Sequence, residues 1–126
     1  MSNQRFFQCK HCGNMVGLLN FSGVPMICCG ENMTELVPNT VDASKEKHIP
    51  VVTVDKNKLS VAIGSEAHPM ETDHYITFIY VETKLGGQRK KLNPGDPPSA
   101  EFCLIDDEAV AVFAYCNKHG LWKTEL

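Results

Sequence analysis

No apolar run in this chain approaches the roughly 18 residues that a membrane-spanning helix requires. Nor does a leader-like apolar stretch precede the first cysteine, because Met1-Ser2-Asn3-Gln4-Arg5 leads straight into Phe6, Phe7 and Cys9. The expectation is a cytoplasmic protein with no membrane partner. A concentrated basic footprint is missing too. Lys and Arg number 12 against 15 Asp and Glu, giving a net charge of −3. The densest positive stretch, Arg89-Lys90-Lys91 within 84–91, reads as a solvated hairpin, which argues against a nucleic-acid partner. No segment carries the periodicity of a long amphipathic helix.

What the chain does have is cysteine and histidine in two separate sets. The first set lies within residues 1–37, as Cys9-Lys10-His11-Cys12-Gly13 and Met26-Ile27-Cys28-Cys29-Gly30. Six cysteines without a secretion signal argue for metal ligands or core residues over disulfides. Four of them suit one tetrahedral ion. A segment this short buries too little surface to order itself without such a cross-link. Gly13 and Gly30, each directly after a cysteine, let the backbone curl so that amide N–H groups face the sulfurs. A zinc ribbon would present two Cys-x2-Cys knuckles, and the contiguous Cys28-Cys29 departs from that pattern. His11 lies inside the knuckle loop and reads as a solvent-facing bystander.

Residues 38–47 are polar, without sustained apolar periodicity, and read as a linker. From residue 48 onward the pattern is strand after strand. Residues 49–55 are rich in Val and Ile, 55–58 turn the chain, and 59–63 alternate. Residues 64–73 form a loop, 74–85 a long aromatic and aliphatic strand, and Gly86-Gly87 a two-residue hairpin signal. A proline-rich loop over 93–99 precedes two further strands at 100–105 and 109–115. Short strands with tight connections predict an immunoglobulin-like antiparallel β-sandwich over 48–126. Cys103, inside an apolar strand, reads as a small core residue.

The second donor set is His48, His68, His74, Cys116 and His119, all at strand edges or in loops, where the ends of a sandwich converge. Cys116-Asn117-Lys118-His119-Gly120 places a thiolate and an imidazole at the end of a strand, close enough to turn toward one ion. Four imidazoles and one thiolate exceed the tetrahedral demand of structural zinc. They point to iron with a sixth position open to a small molecule. A thiolate opposite that position donates electron density toward whatever binds there.

These motifs carry a resemblance. The Cys9, Cys12, Cys28, Cys29 segment is similar to desulforedoxin, a small rubredoxin-like iron protein. Glu46-Lys47-His48-Ile49-Pro50, His68-Pro69-Met70 through His74, and Cys116 to His119 resemble the superoxide reductase family. Together they resemble desulfoferrodoxin over essentially the whole chain. The resemblance implies a four-thiolate iron on Cys9, Cys12, Cys28 and Cys29. It also implies a catalytic iron with His48, His68, His74 and His119 equatorial and Cys116 axial. Glu46 and Lys47 would flank the open position, Lys47 attracting the anion and Glu46 binding the ferric ion after product leaves. The implied activity is reduction of superoxide to hydrogen peroxide, supplied by a rubredoxin-like electron donor, in a homodimer.

Two other readings remain open on the residues alone. A blue-copper electron carrier shares the sandwich and the late Cys and His, but wants two histidines and usually an axial Met, and residues 120–126 hold none. A zinc-ribbon module fused to a sandwich would have no redox role.

Overall fold

The computed structural model describes residues 2–126. They divide into a smaller unit, Asn3–Val37, and a larger one made of Ser2 and Pro38–Leu126.

In the smaller unit, β1 (Phe6–Gln8) pairs antiparallel with both β2 (Met15–Gly17) and β5 (Thr34–Leu36). A two-stranded ribbon, β3 (Ile27–Cys28) with β4 (Glu31–Asn32), projects between them in sequence. Phe6, Phe7 and Cys9 are its buried residues. Arg5 braces the small sheet, its guanidinium forking onto Glu35 with both contacts at 2.8 Å and lying 4.4 Å from the Phe21 ring centre. So few buried side chains give the unit little apolar core of its own.

In the larger unit, a single helical turn, α1 (Lys45–His48), leads into β6 (Pro50–Asp55) and β7 (Lys58–Ile63). Then come β8 (Ile76–Thr83), β9 (Gly87–Lys91), β10 (Ser99–Cys103), β11 (Ala109–Cys116) and β12 (Gly120–Glu125). One sheet has the order β10-β7-β6 and the other β12-β11-β8-β9, with every pairing antiparallel. Leu59, Val61 and Ile63 alternate inward from β7, as a half-buried strand must. They meet Ile76, Ile79 and Val81 of β8 and Val112, Ala114 and Cys116 of β11 in one core. This is the predicted β-sandwich, and Cys116 closes the core at the end where β11 stops.

Four details depart from the sequence reading. β12 has no counterpart in it, because Leu121 and Trp122 are the two fully buried members of an otherwise polar run. Cys103, predicted in the core, is exposed, since alternation along β10 turns Phe102 inward and its neighbours out. The turn between β8 and β9 falls at 84–86, closed by Thr83 N–H to the Gly86 carbonyl at 2.9 Å, and Gly87 is already a strand residue. Residues 38–47, read as a linker, belong to the larger unit. Asn39 adopts a φ of 63° and lies along β12, exchanging side-chain bonds with the Lys123 backbone at 2.9 and 3.1 Å.

Candidate metal centres

In the smaller unit the four thiols converge so that all sulfurs lie within 4.8 Å of one another. The Cys9 to Cys12 knuckle is closed by Gly13 N–H to the Cys9 carbonyl at 2.9 Å, with Gly13 at a φ of 83° that favours glycine. The adjacent pair is accommodated differently. Cys29 and Gly30 are the two loop residues of the β3-β4 hairpin, both left-handed at φ 52° and 76°. Two positive φ values in a two-residue loop are the signature of a type I′ turn. Cys28 ends the strand and Cys29 reaches from the turn.

Cys12 Sγ and Cys28 Sγ stand 3.6 Å apart, far beyond a disulfide. Sulfurs held tetrahedrally at roughly 2.3 Å would be about 3.8 Å apart, so the spacing fits one shared ion. The backbone N–H of Cys12 pulls the Cys9 thiol down to about 6, while clustering with Cys12 and Cys9 pushes Cys29 up to about 12. Four such sulfurs do not ionise together unless a cation neutralises them. Asn14, which sequence reasoning did not single out, supplies two donors, its backbone N–H to Cys12 Sγ at 3.4 Å and its amide to Cys28 Sγ at 3.7 Å. His11 is exposed and lies 3.1 Å from the Glu31 carboxylate.

In the larger unit the predicted histidines form a closed ring. Neighbouring ring centres are 4.6 Å (His48, His68), 4.9 Å (His68, His74), 5.0 Å (His74, His119) and 5.0 Å (His119, His48) apart, each pair edge to face. The donor atoms of His48, His68, His74 and Cys116 all lie within 4.8 Å of one another. His119 stands at the edge of that set, its Nδ1 3.2 Å from His48 Nε2 and 3.9 Å from Cys116 Sγ. Gly120, at φ 80°, turns the chain back immediately after it.

The ring fits a cation on the chemistry of its donors. His48 Nδ1 donates to the Ser44 carbonyl at 2.5 Å and His68 Nδ1 to the Pro69 carbonyl at 2.7 Å. Carbonyls only accept, so both protons sit on Nδ1 and both Nε2 atoms present lone pairs. Those Nε2 atoms nonetheless face each other at 3.2 Å, and His74 Nε2 is buried with no hydrogen-bond partner among the described residues. Two nitrogens bound at right angles to one ion at roughly 2.1 Å would be about 3.0 Å apart. Desolvation lowers His48, His68 and His74, His68 to about 4, which favours the neutral, ligating form of these three imidazoles. Burial pushes the Cys116 thiol up, which a bound cation reverses.

Glu46 and Lys47 precede His48 on α1, both exposed. The Glu46 carbonyl receives Glu66 N–H at 2.9 Å and the Ser65 hydroxyl at 3.3 Å, which ties α1 to the turn that leads to His68. The Glu46 carboxyl is held below its usual range, chiefly by its own backbone N–H. Among the described residues, neither side chain is hydrogen-bonded to an imidazole. Trp122, unremarked in the sequence, stacks on His48 with ring centres 4.8 Å apart and donates its indole N–H to the His119 carbonyl at 3.0 Å. A lone tryptophan carries no periodic or spacing signal by which it could have been found.

Similarity to known proteins extends over nearly the whole chain. Residues 40–125 match the family model described as Desulfoferrodoxin, and residues 2–36 match that of the Desulfoferrodoxin N-terminal domain. The chain is 45% identical over 126 residues to desulfoferrodoxin of Nitratidesulfovibrio vulgaris, covering 99% of each. It is 32% identical over 103 residues to superoxide reductase of Pyrococcus horikoshii, covering 68% of this chain and 90% of the relative. The crystal structure of the superoxide reductase from Treponema pallidum superposes with a TM-score of 0.83 at 35% identity, covering 98% of this chain and all of the other.

Proposed function

The chain belongs to the desulfoferrodoxin family, and on that premise we propose that it is a superoxide reductase, converting superoxide to hydrogen peroxide by one electron and two protons. It is an oxidoreductase with two iron centres, one at each donor set. The observation that carries the reading is the closed ring of four imidazoles beside a buried cysteine, a donor set that neither structural zinc nor blue copper uses. Cys9, Cys12, Cys28 and Cys29 would hold the first iron, and His48, His68, His74, His119 and Cys116 the second. When bound in the second set, ferrous iron supplies the electron that superoxide accepts.

The residues divide the remaining work. His48, His68 and Cys116 are buried, whereas His74 and His119 are partly exposed, so a small anion reaches the ring from solvent without crossing the core. Lys47, exposed on the turn that carries His48, provides a positive charge to draw in superoxide and to order a proton-donating water. Glu46 beside it, its carboxyl held below the usual range, would offer a carboxylate to the oxidised centre. Cys116, buried at the end of β11, would supply thiolate electron density to an ion held by the ring.

A rubredoxin-like electron donor, a cytoplasmic setting and a homodimer complete the reading. Leu19, Val24 and Ile27 of the smaller unit are exposed apolar side chains of the kind a second copy would cover. The test is stoichiometric. The reduced, iron-loaded protein should yield one peroxide for each superoxide consumed, with no dioxygen released. One peroxide and one dioxygen for every two superoxides would make it a dismutase, and no consumption would leave an electron carrier.

A further inference from the structure

Asn117 lies between two members of the second donor set, Cys116 and His119, yet its contacts go to a third. Its side-chain oxygen accepts Tyr75 N–H at 2.9 Å, and its side-chain amide donates to the Asp73 carbonyl at 3.0 Å. One amide therefore grips the backbone on both sides of His74. Its own backbone N–H adds a bond to the Tyr75 carbonyl at 3.2 Å, where the pairing of β11 with β8 shifts register between Tyr115 and Cys116. The irregularity leaves these groups outside the regular ladder, and Asn117 satisfies them.

His74 needs such a grip more than its neighbours do. The rings of His48 and His68 are each fixed by a carbonyl at Nδ1, and His48 is further stacked on Trp122. His74 stands in a short loop, bracketed by an isolated bridge to Glu71, and is less buried than either. Its direction toward the ring is set by backbone placement, and that placement is set from the strand end that carries Cys116.

We propose that Asn117 is a positioning residue that couples His74 to Cys116, so that the loop-borne imidazole and the core-borne thiolate are presented to the metal as one preorganised unit. The inference rests on the reading of His74 as a ligand. Both halves of the amide are required, the oxygen toward Tyr75 and the nitrogen toward Asp73. Groups that orient ligands in this way typically change metal affinity by about 10- to 100-fold when removed.

The experiment is an anaerobic competition of ferrous ion between the full-length protein and a chelator. Occupancy of the second centre is read by its sulfur-to-iron absorption after oxidation, with the four-thiolate absorption as an internal control. Asn117→Ala should weaken retention at the second centre by about 10- to 100-fold and leave the first unchanged. Asn117→Asp, which keeps the acceptor for Tyr75 and loses the donor for Asp73 at an exposed position, should weaken it in the same direction but less. In a His74→Ala background, adding Asn117→Ala should cost little more, because the ligand it positions is gone. An equal further loss in that background would overturn the inference and leave Asn117 a general loop brace, as would undiminished retention in the single variants. If His74→Ala alone retained iron as the parent does, the ligand reading would fall and the inference with it.

Discussion

At the scale of single residues, the second centre depends on groups whose charge state the fold has shifted. Desolvation lowers His48, His68 and His74, the last-named partly exposed and His68 reaching about 4 against 6.5 in the unfolded chain. The unfolded state therefore binds more protons as pH falls, so this contribution is fully present above about 6.5 and is lost toward about 4. Cys116 is shifted upward from 9.0, so its contribution is present below that value and is lost as pH rises through the raised folded pKa. The metal-free larger unit should accordingly show a stability plateau from about 6.5 to about 9, with urea midpoints falling on both sides. A midpoint that kept rising below 6.5 would contradict the lowered protonation of His48, His68 and His74. Lys47 is tested by rate. If it steers an anion, Lys47→Ala should slow the second-order reaction with superoxide within the roughly 10- to 1,000-fold range of electrostatic focusing. Added salt should slow the parent more than the variant, given a Debye length of about 8 Å at physiological ionic strength. Unchanged rate and salt slope would make Lys47 a surface charge. The donors themselves were legible in the sequence because cysteine and histidine are chemically distinctive wherever they stand. Asn14, Asn117 and Trp122 were not, because their importance lies in what they touch.

Elements bring those residues together, and one glycine decides whether two of them can meet. The turn after β7 runs so close to α1 that a Cβ on Gly64 would lie 2.3 Å from the Glu66 carbonyl oxygen, 2.7 Å from that of Glu46 and 2.7 Å from the Lys47 carbonyl carbon. All three are backbone atoms and cannot rotate away, and Gly64 is also left-handed at φ 85°. Gly64→Ala should therefore destabilise the larger unit by about 2 to 4 kcal/mol, combining left-handed strain with displacement of α1. It should also loosen iron at the ring, because α1 carries His48 and the turn leads to His68. Gly86→Ala, with nothing within 4 Å of the added atom, should stay within about 0.5 kcal/mol of the parent. Denaturant unfolding of the iron-loaded proteins compares them, and equal midpoints would remove the close approach as a requirement. The strands that alternate, such as β7, were readable from periodicity. β12 was not, because its apolar content is two adjacent residues, and the outward turn of Cys103 depended on the register of β10, which composition does not specify.

On the scale of the whole molecule, the two centres draw on different parts of the chain. Cys9, Cys12, Cys28 and Cys29 all lie within Asn3–Val37, and every member of the second set lies within Pro38–Leu126. That separation was visible in the sequence as two donor sets with no residue in common. The consequence for chemistry follows from coordination. Four thiolates would fill the coordination of a tetrahedral ion, so on the proposed reading the first iron would offer superoxide no position and would be left to electron transfer or folding. The consequence for stability is opposite in the two units. The smaller one buries only a few side chains and needs its metal, whereas the larger has a continuous core from both sheets. Cys12→Ser should thus abolish the four-thiolate absorption and expose the smaller unit to proteolysis, while the iron of the second set, reduced beforehand, reacts with superoxide at close to the parent rate. Pulse radiolysis measures that first bimolecular step directly. A large fall in it, with the second centre still fully loaded, would mean that the smaller unit contributes to the reaction itself and that the separation of donors is not a separation of function.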